Sequence, residues 1–209
     1  MPNRVIIAGA HPRLLLALAL SLFTGTRPLV AQAPIATTAS SRRAAPSAET
    51  PASRYSTPEE AAAAARTLWD KGQHSSARRL MAIAQAYRQL GRPYQYGGNG
   101  KSAAAVDCSA FVQWAEGRAG IRLPRTSKEQ SRVGNPIPRS TDALEDGDLL
   151  FFGIRGVVSH VGIYIGGGRF IHSSSSLGGV AISSLIQPRW DHLWLSARRV
   201  ADGEDRKPS

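Results

Sequence analysis

At Gly147 the chain changes character, and that change constrains its fold more than any other feature. Beyond it come five short runs of β type: Asp148 to Phe152, His160 to Ile165, Arg169 to Ser173, Gly179 to Leu185 and Leu193 to Val200, separated by glycine or proline clusters. Before it, apolar residues recur at helical spacing. Leu80, Ile83, Ala84, Tyr87 and Leu90 fall on one face, and Gly91 with Pro93 supplies the stop. Asp107 to Gly120 reads as another helix, capped by Asp107, with Phe111, Val112, Ala115 and Ala119 on one side. An Ala-rich helix precedes both, opened by Thr57 as cap, Pro58 at the first helical position and Glu60 three residues after the cap, and closed by Gly72. Helices first and strands afterwards predict an α+β domain, with N-terminal helices packed on an antiparallel β-sheet.

The 209 residues, 42% of them hydrophobic, can bury one core of ordinary size. Arg4 and Arg13 precede an apolar run from Leu14 to Phe23, and small residues follow around Ala31 to Ala33. This is the layout of a secretory signal peptide, expected over residues 1–33. The run is about half the ~20 residues that a membrane-spanning helix needs, so a stable membrane anchor is the weaker reading. Residues 34–58 are Ala, Ser, Thr, Pro and Arg with almost no large apolar side chain, which predicts a disordered linker. An N-terminal helical segment over 59–74, a folded domain over 75–200 and a charged, disordered tail over 201–209 complete the expected organisation. The single cysteine, Cys108, excludes an internal disulfide, and no cysteine follows the signal peptide to be acylated. An exported monomer of the periplasm, cell wall or extracellular space is expected. The excess of 26 Lys and Arg over 15 Asp and Glu favours an anionic partner, which could be nucleic acid, acidic lipid or an acidic envelope polymer. Nucleic acid fits poorly, because basic and aromatic residues are not interleaved and the signal peptide points outward.

Cys108 falls in the first turn of the helix that Asp107 caps. There the unpaired N–H groups and the helix dipole favour a thiolate and could hold an oxyanion. A lone cysteine is equally a small buried apolar residue. The histidines shift that balance. His160 begins HVGIYIG and His172 lies in RFIHSS, with Gly166, Gly167 and Gly168 between them as a hairpin turn. A hairpin centred on Gly166 puts His160 opposite His172, with their side chains about 5 Å apart on one face. Nucleophilic catalysis needs a base beside the thiol and a third polar group to orient the base; His160 suits the first role and His172 the second. Metal binding is the competing use, but no HExxH or CxxC pattern and no carboxylate at ligand spacing accompanies these residues. Plain packing of two histidines in a sheet is the other alternative. His74 and His192 read as surface or packing residues, Trp190 and Trp194 as packing for the last strand, and Asp148 as a turn former.

Taken together, six blocks resemble the NlpC-type cell-wall endopeptidases, papain-like enzymes of bacterial peptidoglycan. They are GRPYQYGG (91–98), DCSAFV (107–112), LPRTSKEQ (123–130), GDLLFF (147–152), HVGIYIG (160–166) and FIHSS (170–174). The resemblance implies a papain-like cysteine peptidase core in which Cys108 is the nucleophile, His160 the base and His172 the orienting residue. It further implies that Tyr96 assists the oxyanion or substrate, and that Asp107 and Ser109 shape the pocket for an acidic stem peptide. The implied reaction hydrolyses the γ-D-glutamyl bond to a diamino acid such as diaminopimelate in peptidoglycan stem peptides, through a thioester and with no metal or other cofactor. Two departures, Ala110 for the usual glycine and Val106 for a common aromatic, bear on subsite shape. A related amidase or acyltransferase, and a non-catalytic muropeptide-binding module, remain as alternatives; a mere binder would have no reason to keep Cys108, His160 and His172 together.

Overall fold

The structure, a computed structural model, describes residues 53–99 and 105–200. The expected signal peptide (1–33), the tail (201–209) and most of the expected linker (34–58) lie outside the described residues. The elements run α1 (Pro58–Asp70), α2 (His74–Tyr87), α3 (Cys108–Arg118), α4 (Ser127–Gln130), β1 (Asn135–Ile137), β2 (Leu149–Ile154), β3 (Val157–Tyr164), β4 (Arg169–Ser174), β5 (Gly179–Ser184), α5 (Pro188–Leu193) and β6 (Trp194–Arg199). The strands form one sheet in the order β1-β6-β2-β3-β4-β5, and every neighbouring pair is antiparallel. Helices on an antiparallel sheet make this the expected α+β fold. The sequence pattern did not reveal α4, β1 or α5, which are too short to show a period.

β2 is buried on both faces, so its side chains divide between two cores. Leu149 and Phe151 join the helices α1 to α3, while Leu150 and Phe152 face the side covered by α5. Burying each such side chain stabilises the fold by about 1.5–3 kcal/mol. α1 starts where Thr57 accepts from the Glu60 N–H (3.2 Å) with Pro58 at N1, and its buried face is Ala61, Ala62 and Ala65. These alanines lie in the same core as Leu80, Ile83 and Tyr87 of α2.

Two expected boundaries therefore move. α1 shares the main core, so no division falls between 59–74 and 75–200. The last residues of the expected disordered linker are also docked: the buried Ser53 hydroxyl donates to the Ile165 carbonyl (2.5 Å), and the Tyr87 hydroxyl donates to the Tyr55 carbonyl (2.5 Å). Composition missed this because the anchoring groups are single polar atoms rather than an apolar run. Among the described residues no helix is long and apolar enough to cross a membrane.

Candidate active site

The ladder between β3 and β4 is short. It pairs Tyr164 with Phe170 and Ile163 with Ile171, after which the strands separate. That register centres the hairpin on Gly167, one residue beyond the Gly166 centre expected from sequence, so His160 and His172 do not face each other directly. Continuing the register puts Gly162 opposite His172, and His160 two residues further along the same face. A Cβ on Gly162 would stand 3.1 Å from the Cβ of His172 and 2.8 Å from Cδ2 of Phe170. The glycine thus leaves room for the His172 ring to lean along the strand, and His160 Nε2 and His172 Nδ1 meet at 2.7 Å. Diagonal neighbours on one face lie within reach of long side chains, which is why the contact survives the change of register.

The rings sit in an aromatic box on the α5 side of the sheet. Trp190 stacks on His160 (centroids 5.5 Å apart, 29° between planes) and meets His172 edge-on (4.9 Å, 88°), while Phe152 and Phe170 close the remaining sides. His172 is fully buried, and its Nε2 meets the Ser183 hydroxyl at 2.9 Å. A polar chain His160–His172–Ser183 results, and Ser183 on β5 gave no signal in the sequence. Burial first, then the charge of Arg189, holds the His160 pKa down to about 4. Burial, then His160 and Arg189, holds that of His172 down to about 3. Both rings are neutral at neutral pH, which leaves His160 free to accept a proton.

Cys108 reaches this box from the opposite face of the sheet, past the edge that β3 exposes where β4 has left it. Its sulfur lies 4.0 Å from the Ser159 carbonyl, and the Val161 N–H also points at it. Burial pushes the thiol pKa up; the Val161 N–H opposes this, the Asp107 carboxylate adds to it, and the amides of Ser109 and Cys108 again favour the thiolate. Several bonds fix the start of α3. The Ser173 hydroxyl donates to the Val106 carbonyl (2.8 Å), Asp107 caps the Ala110 N–H (2.8 Å), and Gln130 Nε2 donates to the carbonyls of Ser109 (3.0 Å) and Pro124 (2.9 Å).

A cleft of about 230 Å³ opens over the sulfur, and Cys108 and His160 both line it, together with Tyr94, Ser159, Ser174, Ser175, Ser176, Arg189 and Trp190. Tyr96 does not. It is 90% exposed, at the corner of the turn in which the Gly98 N–H donates to the Gln95 carbonyl and Gly97 takes φ 72°. Tyr94, two residues earlier and bridged to Val106, occupies the position beside the sulfur instead. Asp107 and Ser109 lie behind the nucleophile rather than along this cleft. Arg125 binds Asp107 through both carboxylate oxygens (2.6 and 3.0 Å) and also reaches the Ser109 hydroxyl (2.9 Å) and the Gly98 carbonyl (3.1 Å). Although burial opposes it, that ion pair and the cap hold the Asp107 carboxyl below the usual carboxylate range. Among the described residues no three His, Cys, Asp or Glu side chains converge as a metal site.

Comparison with known proteins bears on the same stretch. Residues 91–199 match the NlpC/P60 family. The murein DD-endopeptidase MepS/murein LD-carboxypeptidase of Escherichia coli is 43% identical over 108 residues, 51% of this chain and 55% of that protein. The bifunctional muramidase/DL-endopeptidase CwlT of Bacillus subtilis is 42% identical over 115 residues, 53% of this chain and 33% of that protein. Among solved structures, an NlpC/P60 family protein from Bacillus cereus superposes with a TM-score of 0.54 at 34% identity, over 59% of this chain and 40% of that one. The chain spans about half the length of the first curated relatives it matches.

Proposed function

The chain belongs to the NlpC/P60 family, and from that premise we propose that it is an exported peptidoglycan cysteine endopeptidase that cuts the γ-D-glutamyl bond to diaminopimelate in stem peptides. The observation that carries the reading is the cleft in which Cys108 and His160 lie together, with His160 backed by His172 at 2.7 Å. The His160 Nε2 is engaged by His172, so Nδ1 is the nitrogen left for the thiol. In the productive tautomer Nε2–H of His160 donates to His172 Nδ1, and Nε2–H of His172 donates to the Ser183 hydroxyl.

With the thiol pKa raised and the imidazole pKa lowered, the resting pair is uncharged. His160 therefore takes the Cys108 proton as the sulfur attacks the carbonyl carbon, by general-base catalysis. The developing oxyanion faces the amides of Cys108 and Ser109 at the start of α3, with the Tyr94 hydroxyl beside them. Collapse breaks the C–N bond, and the amine leaves with the proton from His160. A water then loses its proton to His160, adds to the thioester and releases the carboxylic acid and the thiol. On the acyl side, beyond the cleft itself, the half-exposed guanidinium of Arg125, held in place by Asp107 and Ser109, offers hydrogen-bond donors to an acidic stem peptide. Export rests on the sequence of residues 1–33.

A second reading, the D-alanyl–diaminopimelate cross-bridge, is favoured by the name of the Escherichia coli relative, a DD-endopeptidase; the Bacillus subtilis relative is named a DL-endopeptidase. Incubating the chain with two defined muropeptides, one offering each bond, and weighing the products separates the two. The proposal expects fragments split between D-glutamate and diaminopimelate, each pair together heavier than the substrate by one water. Cleavage of the cross-bridge alone supports the second reading, and cleavage of neither refutes both.

A further inference from the structure

We propose that Arg189 recognises a carboxylate on the departing, amine-side half of the substrate and thereby makes the enzyme prefer diaminopimelate to lysine at that position. This rests on the peptidase reading above and deepens it. Arg189 is exposed on α5 and lines the cleft with Cys108 and His160. Its guanidinium lies over the Trp190 ring, 5.3 Å from the centroid, and that buried ring is itself stacked on His160. The cation is thus tied to the base's side of the nucleophile. The leaving amine takes its proton from His160, so the half of the substrate that departs lies on that side as well.

Among the described residues no side chain neutralises this charge. Among the described residues no carboxylate lies within ion-pair distance of Arg189. Asp191, two residues on, is held instead by Arg139, whose Nη2 reaches its carboxylate at 3.2 Å and its carbonyl at 2.6 Å. Asp107, the acid nearest Cys108 in sequence, is taken by Arg125. An uncompensated guanidinium, stiffened by an aromatic ring, is suited to bidentate binding of a carboxylate.

Diaminopimelate and lysine differ by one carboxylate. When the γ-D-glutamyl bond is cut, that group sits at the far end of the departing diamino acid; when a D-alanyl cross-bridge is cut, it sits on the carbon bearing the released amine. Both bonds place it on the departing half, though at different distances from the scissile nitrogen, so the preference is read for each bond separately and is expected at the bond the enzyme cuts.

The test uses two pairs of synthetic peptides, one pair for each bond, matched except for diaminopimelate or lysine in the departing half. kcat/KM is measured for the wild type, Arg189→Gln and Arg189→Lys, and Kd for the same peptides is measured calorimetrically with Cys108→Ala and Cys108→Ala/Arg189→Gln. The wild type should prefer diaminopimelate by about tenfold, the scale of one charge-assisted contact at a half-open site. Arg189→Gln should bring the ratio close to one, Arg189→Lys should keep part of it, and the Kd ratios should follow. An unchanged ratio in Arg189→Gln, or a wild type without preference, overturns the inference while leaving the peptidase reading standing. If the wild type cuts none of the peptides but the Kd ratio depends on Arg189, the cleavage reading falls and carboxylate recognition remains. If neither cleavage nor a Kd ratio is found, both fall.

Discussion

Glu116 offers a stability test that does not involve catalysis. It is wholly buried on α3, and among the described residues neither of its carboxylate oxygens has a hydrogen-bond partner. Burial pushes its pKa from 4.5 up to about 8, against the pull of the Arg79 charge. The folded chain keeps this proton between pH 4.5 and about 8 while the unfolded chain releases it, so stability falls as pH rises through that window and levels off above it. At about 1.4 kcal/mol for each pH unit, the whole window amounts to about 5 kcal/mol, of which roughly half falls between pH 5 and 7. Glu116→Gln keeps the shape and removes the ionisation. Urea denaturation of both chains at pH 5, 6 and 7 should show the stability difference moving in the variant's favour by about 2–3 kcal/mol across that range, whatever constant offset the amide introduces. Other titrating groups cancel in the difference. Curves that stay parallel with pH would refute the reasoning, because they would mean that Glu116 is ionised or solvated in the folded protein.

Further consequences concern the catalytic constellation. His172→Ala should lower kcat by about 10- to 100-fold, and His172→Gln by less, since an amide can restore part of the bond to His160; equal losses in the two would remove the orienting role. Gly162→Ala should cost about 1–3 kcal/mol in a thermal melt and lower kcat more than it changes KM, because the new methyl pushes on Phe170 and His172; wild-type behaviour in both would count against the leaning of His172 along the strand. Arg125→Met strips the ion pair from the mostly buried Asp107, and should destabilise the chain by about 1–3 kcal/mol and raise KM for acidic stem peptides; an unaltered KM would make Arg125 purely structural.

The sequence was most informative where chemistry and period coincide. The apolar face of α2, the Asp107 cap and the five β runs are properties of neighbouring residues, and they appear in the structure with ends displaced by at most three residues, except that Leu90 lies beyond the end of α2 and is exposed. Cys108, His160 and His172 stood out because a thiol at a helix start and two histidines around a glycine turn form a chemically unusual set. The register did not follow from the residues: three consecutive glycines allow more than one turn centre, and the pairing of Tyr164 with Phe170 puts it at Gly167, with Gly162 rather than His160 opposite His172. Tyr94 and Tyr96 are alike in sequence, and only the turn at Gln95 to Gly98 decides which faces the cleft. Ser183, Trp190 and Arg189 reach the site through sheet pairing and a six-residue helix, long-range facts that leave no periodic trace.

The most direct test of the account is to compare cleavage by the wild type and by Cys108→Ala, using a γ-D-glutamyl-diaminopimelate muropeptide and reading the digests by mass spectrometry. A small residue in the first turn of α3 should leave a modest cavity, so circular dichroism and calorimetric binding of the fragment serve as controls for folding. The account predicts product from the wild type and none from Cys108→Ala, with the variant folded and still binding. Product at the wild-type rate from Cys108→Ala would contradict it.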